Sequence, residues 1–137
     1  MSLGYDPIVR PERFGSGAPM EAKKGVKDIK VIYPEYVPTR TLCMGIVSLE
    51  PGCETPLHRH NCEEIYYFLE GEGEVEIEGT RYPVKKGDAC YIKEQQKHRV
   101  FNTGKTQLSW VDVGGIMFTS LFPEWPTPSP YEIYLNE

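Results

Sequence analysis

The sequence predicts an all-β fold. Its 13 glycines and 12 prolines are spread over 137 residues and leave segments that are too short for long helices. The segments between them are rich in β-branched and aromatic residues, which favour strands. Within residues 73–79, acidic and aliphatic residues alternate, and this period of two indicates a strand with one solvent-facing side. Many short strands separated by turns are typical of a sandwich or a barrel.

Seven segments carry this strand pattern, and the alternation indicates which side of a strand faces the core. In the acidic segment, Val75 and Ile77 are expected to be buried, and the glutamates between them lie on the wet side of a hairpin. The predicted strands are residues 27–33, 40–49, 64–69, 74–78, 89–92, 99–102 and 108–113.

The two ends of the chain differ from this middle part. Residues 1–24 are polar and contain several prolines and glycines, which predicts an irregular N-terminal arm. Residues 25–137 have the length of one compact domain, which we predict to be a single barrel with a proline-rich segment at 122–130. Residues 131–135 alternate again, so they could add a strand to their own sheet or to that of a neighbouring subunit.

Charge and hydropathy exclude several classes of partner. Fifteen Lys and Arg residues against 20 Asp and Glu residues give a formal charge of −5, without the basic excess that binds nucleic acid. The chain contains no apolar run that could span a bilayer and no recognisable secretion signal, so we expect no membrane partner and a cytoplasmic location. Four cysteines without Cys-x-x-Cys spacing are predicted to be reduced thiols: Cys43, Cys53, Cys62 and Cys90.

The three histidines of the chain have the spacing of metal ligands. His58 and His60 are two residues apart, so on a strand both side chains project from the same face. Glu64 opens the next strand, where its carboxylate can face the same point. Two imidazoles and one carboxylate form a facial triad with open coordination positions, and His98 could supply a fourth ligand. This donor set predicts one divalent transition metal, Fe, Mn, Ni, Zn or Cu, rather than Ca.

The same residues resemble the first motif of the cupin family. Every fixed position of that motif is present, as Gly52, His58, Arg59, His60, Glu64 and Gly71. The second motif is matched by Gly87, His98 and Asn102, while Lys93 and Gln95 stand where the family has proline and glycine. The resemblance spans residues 52–102 and implies a small single-domain cupin, which is a jelly-roll barrel or double-stranded β-helix with a metal near its middle. The metal ligands that it implies are His58, His60, Glu64 and His98.

Three further side chains are candidates for the pocket around the metal. By alternation from Glu64, Tyr66 and Phe68 should point into the barrel, and Gln96 should lie near its mouth. Tyr66 could donate a hydrogen bond to a substrate or act in proton transfer; the alternative is an aromatic side chain that fills the barrel. For Gln96, the alternative is a surface position in a polar turn. Glu64 is the one acid that we place inside the barrel.

These features predict a metal-dependent enzyme that acts on a small polar organic molecule. Dioxygenase, sugar or sugar-acid isomerase and decarboxylase chemistry stay open as its reaction type. The other hypothesis is a non-catalytic module that binds a small ligand or senses a metal, and it is supported by the lack of recognisable acid-base partners. Because jelly rolls of this size often pair through exposed edges, we expect a homodimer.

Overall fold

In the computed structural model, two antiparallel β-sheets pack face to face as a double-stranded β-helix, so the predicted all-β class is confirmed. The structure describes residues 3–16, 23–34, 37–60, 62–115 and 131–134. Within these ranges the strands are β1 (Gly15–Ser16), β2 (Val26–Ile32), β3 (Cys43–Leu49), β4 (Leu57–His60), β5 (Glu64–Glu70), β6 (Glu72–Ile77), β7 (Thr80–Lys85), β8 (Ala89–Ile92), β9 (His98–Phe101), β10 (Leu108–Gly114) and β11 (Tyr131–Tyr134). The same ranges contain no α-helix, only a 3-10 turn at Pro11–Arg13.

One sheet has six strands in the order β1-β2-β3-β10-β5-β8, and the other has five in the order β11-β4-β9-β6-β7. The apolar core lies between them and is formed by Val26, Val47, Leu49, Tyr66, Phe68, Val75, Ile92, Val100, Leu108 and Trp110. On β5, Tyr66 and Phe68 are buried whereas Ile65 and Tyr67 are exposed, as the alternation predicts. The burial therefore assigns inward directions to every second residue of this strand.

The predicted strands do not include β7, which contains Pro83. Proline cannot donate to a strand ladder and is tolerated mainly on edge strands. Here β7 is the outermost strand of its sheet and pairs only with β6. Glu78 and Gly79 join the two strands with φ angles of 49° and 83°, which is the left-handed pair that a tight hairpin turn requires. The acidic segment is thus one strand of a hairpin, as predicted.

The ends of the chain extend the two sheets. β1 lies within the predicted N-terminal arm and pairs with β2, and β11 pairs with β4 of the same chain. The alternating tail therefore adds a strand to its own sheet. The predicted proline-rich segment at 122–130 lies outside the described residues, and the division of the chain at residue 24 stays a prediction.

Two further expectations concern the cysteines and the membrane. All four cysteines fall within the described residues, and no disulfide bond joins any of them there, which confirms the prediction of thiols. Among the same residues, no helix has the length and the hydrophobicity needed to cross a membrane.

Candidate metal centre

The three histidines and Glu64 meet between the two sheets. His58 on β4 and His98 on β9 are direct partners in the strand pairing, and His60 lies two residues further along β4. Glu64 begins β5 in the opposite sheet. All four side chains belong to buried residues, with exposures between 0% and 3%. Side chains that are distant in sequence thus converge because β4 and β9 face β5 across the barrel.

The four side chains are close enough to share one ion. Each offers one ligand atom, and these atoms all lie within 4.8 Å of one another. Glu64 Oε1 is 3.2 Å from Nε2 of His60 and 3.2 Å from Nε2 of His98. The ring centroids of His58 and His98 are 4.1 Å apart. We call His58, His60, Glu64 and His98 the His/Glu cluster.

The backbone fixes the orientation of each imidazole ring. The Nδ1 atom of every histidine faces a backbone carbonyl two residues away, at 2.8 Å in His58, 3.2 Å in His60 and 2.8 Å in His98. Because a carbonyl oxygen can only accept, Nδ1 carries the proton and donates it. The Nε2 lone pair of a neutral ring is then available to a metal, and such outer hydrogen bonds are typical of metal-binding histidines. Three imidazoles and a carboxylate held in this way fit a divalent transition metal.

The turn before His98 contains Gln95, which stands where the family motif has glycine. Gln95 adopts a left-handed φ of 66°, and its N–H donates to the carbonyl of His60 at 2.9 Å. The N–H of Lys93 donates to Oε1 of Gln96 at 2.8 Å, which closes the same turn. This turn therefore joins β8 to β9, which carries His98, and bonds to the backbone of His60 without the glycine.

The charges of the cluster move the pKa values of its members in opposite directions. Burial, together with the imidazoles of His98 and His60, holds the pKa of His58 well below its usual value. Burial lowers the pKa of His60, but hydrogen bonds with Cys62 and Glu64 outweigh it and raise the pKa to about 10. Burial raises the pKa of Glu64, but His60 and His98 hold it far below the usual range. At neutral pH the metal-free cluster therefore pairs a His60 imidazolium with a Glu64 carboxylate.

Metal binding at neutral pH is expected to release about one proton, because Nε2 of His60 must lose its proton before it can bind a metal. Since the metal-free pKa of His60 is raised to about 10, the release should persist from neutral pH up to that value and vanish above it. Calorimetric titration with Zn²⁺ in buffers of different ionisation enthalpy measures the proton count. A value near zero at neutral pH would contradict the assigned protonation state.

The predicted pocket residues lie around the cluster at different depths. Tyr66 is buried, and its ring centroid is 6.2 Å from that of His98 and 5.5 Å from that of Trp110. Phe68 is buried as well and packs against Trp110 at 5.6 Å. Gln96 is half-buried in the turn before His98 and accepts the hydrogen bond from that ring through its backbone carbonyl. Tyr66 is thus the one of these three whose ring contacts a ring of the cluster.

A cavity of about 580 Å³ lies between the edge strands β7 and β8, and none of the four cluster residues is among the residues that line it. Its lining includes Ile77 and Cys90, which are the strand partners of His98 and Tyr66, and it also includes Gln96. Small-molecule sites are concave and mostly apolar, with a few polar groups. The cavity therefore borders the strand neighbours of His98 and Tyr66 and has the mostly apolar character of a small-molecule site.

Two buried acids were missed by the sequence analysis. Asp28 on β2 and Asp112 on β10 are only 1% and 4% exposed. The sequence analysis placed Glu64 inside the barrel, which the structure bears out, and the structure adds these two acids. The signal was present, because Leu108 and Trp110 set an alternation on β10 that places Asp112 on the inner side. Hydrophobic patterning overlooks such positions, since it treats an acid as solvent-facing.

Comparison with known proteins agrees with this geometry. Residues 45–114 match the model of the Cupin domain family. The chain is 34% identical over 120 residues to the Oxalate-binding protein of Thermotoga maritima. This match covers 82% of this chain and 97% of that protein. A crystal structure described as a predicted oxalate decarboxylase from Thermotoga maritima has a TM-score of 0.67 and 30% identity, covering 80% of this chain and 98% of that chain. A recombinant oxalate oxidase in complex with glycolate has a TM-score of 0.62 and 26% identity over 67% of this chain and 51% of that one. This chain belongs to the cupin family.

Proposed function

We propose that this protein holds one divalent transition metal on the His/Glu cluster and acts as a metal-dependent enzyme on a small carboxylate such as oxalate. The observation that carries the proposal is the convergence of four ligand atoms within 4.8 Å inside the barrel. Decarboxylation and oxygen-dependent oxidation are its candidate reactions, and sugar or sugar-acid isomerisation is the remaining alternative. The metal is Fe, Mn, Ni, Zn or Cu, because imidazole and carboxylate ligands suit these ions.

The similarity to an oxalate-binding protein over most of both chains supports a small carboxylate as the ligand. The similar structures of a predicted oxalate decarboxylase and of an oxalate oxidase support the same ligand class. A bound metal supplies a Lewis acid that polarises substrate oxygens. The protein supplies orientation, through the three Nδ1 hydrogen bonds, and exclusion of water, through burial of the cluster.

Oxalate is expected to bind to the metal-loaded protein with one molecule per metal and not to bind to the metal-free protein. The test begins with metal analysis of protein purified without added metal, followed by calorimetric titration of both forms with oxalate. Decarboxylation is recognised by equal amounts of formate and carbon dioxide with one proton consumed, and oxidation by uptake of dioxygen. Equal affinity of the two forms for oxalate would contradict the proposal.

The second candidate is a non-catalytic module that binds oxalate or a similar anion at the metal. It is favoured by the name of the Thermotoga relative, which is an oxalate-binding protein. Tight metal-dependent binding of oxalate without any product, for each of the five metals and with or without dioxygen, would select this alternative. Turnover with one of the metals would reject it.

A homodimer and a cytoplasmic location stay predictions. Four large side chains on the outer side of β5 and β8 are between 39% and 55% exposed, and they support an apolar contact surface: Ile65, Tyr67, Leu69 and Tyr91. Tyr67→Glu is therefore expected to shift the protein from dimer to monomer in size-exclusion chromatography with light scattering. Tyr82→Glu is the matched control, because this equally exposed tyrosine lies on β7 in the other sheet. A monomeric parent protein would reject the prediction.

A further inference from the structure

The barrel contains a buried acid that the proposed metal site does not use. Asp112 lies on the inner side of β10, where its strand partners are Tyr66 on β5 and Gly45 on β3. The next inward position of β10, Gly114, is the partner of Glu64. Asp112 therefore lies one inward position away from the level of the His/Glu cluster, beside the aromatic ring that contacts His98.

The absence of a side chain at position 45 makes room for the Asp112 carboxyl group. A Cβ atom at Gly45 would lie 2.7 Å from Oδ1 of Asp112 and 2.8 Å from the carbonyl oxygen of Ile29. Both distances are shorter than real Cβ contacts, and the second involves backbone that cannot move aside. Glycine at position 45 of β3 is thus the residue type that leaves enough space for the Asp112 carboxyl group inside the barrel.

The hydrogen bonding of the carboxyl group is incomplete among the described residues. The backbone of Gly45 bonds to the carboxyl group of Asp112, but Oδ1 is buried and has no hydrogen-bond partner there. Nε1 of Trp110, two residues earlier on the same side of β10, is also buried and has no partner in the described part of the chain. Buried polar atoms are nearly always paired in folded proteins, so both atoms require a polar partner in this part of the barrel, either an ordered water or a ligand.

The electrostatic environment makes Asp112 a suitable partner for an anion. Burial raises the pKa of Asp112 well above its usual value, and the charges of Glu64 and Asp28 raise it further. This shift favours the protonated form, and a protonated carboxyl group does not repel a carboxylate ligand and can donate an O–H hydrogen bond to it. An ionised acid at the same place would oppose the binding of an anion.

We propose that Asp112 is a ligand-binding residue of this site, and that its carboxyl group hydrogen-bonds to the small carboxylate held at the His/Glu cluster. The inference rests on the proposed function and adds to it the residue that orients the bound anion. It also assigns the inward side of β10, together with Tyr66, to the ligand-binding surface.

The test compares oxalate binding by the metal-loaded parent protein with binding by Asp112→Leu and Asp112→Asn. Loss of one hydrogen bond to a charged ligand should weaken binding by about tenfold or more in the leucine variant. The asparagine variant keeps a donor of the same size and should stay within about threefold of the parent. Both variants should bind the metal as the parent does, because Asp112 is not one of its ligands.

Ser109→Ala is the control, because it removes a buried polar group from the same strand. Ser109 Oγ donates to Oε1 of Glu70 at 3.1 Å, and its loss is expected to leave oxalate affinity unchanged. Equal weakening in Ser109→Ala, unchanged affinity in Asp112→Leu, or loss of metal in either Asp112 variant would overturn the inference and leave the proposed function intact. A parent protein that binds metal but no oxalate would overturn both.

Discussion

Replacing His58 by alanine is expected to lower the affinity of the protein for a divalent metal by at least about a hundredfold. Loss of an outer hydrogen-bond partner alone typically costs about 10–100-fold in metal affinity, and removal of a ligand should cost more. The ring centroid of His58 is also 4.1 Å from that of His98, so the substitution removes a packing contact that holds the His98 ring in the cluster. Competition with a chelator, followed by metal analysis, measures the affinity directly.

Arg59→Gln provides the matched control for this variant. Arg59 lies on the same strand between the two histidines and is more exposed than either of them, so it should bind metal like the parent protein. Metal binding should also stabilise the parent against heat, and removal of metal should lower the Tm of the parent and of Arg59→Gln but not that of His58→Ala. Stoichiometric, tight metal binding by His58→Ala would contradict the proposed centre.

Much of this site was predictable because strand geometry is simple. A spacing of two residues places His58 and His60 on one side of β4, and this follows from the period of any strand. The partners Glu64 and His98 could be predicted from chemistry and from the family motif, because few buried acids and histidines occur without partners. Their convergence could not be measured from the sequence, since it depends on how β4 and β9 face β5 across the barrel.

The position of Asp112 shows where prediction from patterning stops. Its environment depends on Gly45, which is more than sixty positions earlier in the chain and becomes its neighbour only through the pairing of β3 with β10. Neither residue is informative alone, because glycine in a strand and a single acid between apolar residues both have common explanations. The pairing register supplies the relation between them, and local sequence does not contain that register.

The strands of the fold also divide into those that local sequence predicts and those that depend on the sheet around them. Segments with several β-branched or aromatic residues were predicted within a few positions, and 89–92 coincides with β8 (Ala89–Ile92). β7 was not among the predicted strands. It contains Pro83, and proline fits a strand only where no neighbouring strand needs a backbone N–H from it. β7 meets this condition because it lies at the edge of its sheet, which the local sequence does not reveal. The pairing of β11 with β4 was one of two open alternatives, since an alternating tail fits any free edge.

Asn102→Leu is expected to lower the free energy of unfolding by about 3–5 kcal/mol, because a buried polar group that loses its partner costs about 1–3 kcal/mol. Nδ2 of Asn102 donates to the carbonyls of Leu49 and Thr106, each at 2.8 Å, and Oδ1 accepts from the N–H of Gly104 at 3.0 Å. The side chain thus ties the end of β3 to the loop between β9 and β10. Leucine has a similar size and offers none of these bonds.

Chemical denaturation of the metal-free protein measures this effect apart from metal binding. Thr103→Ala is the control. The side chain of Thr103 lies next to Asn102 in sequence and is exposed, so removing it should change the free energy of unfolding by no more than about 0.5 kcal/mol. Asn102→Asp separates the two roles of the amide, since it keeps the acceptor for Gly104 but turns a carboxylate toward two carbonyl oxygens. This variant should also be strongly destabilised, and a parent-like stability would show that the donor bonds to Leu49 and Thr106 do not hold the loop.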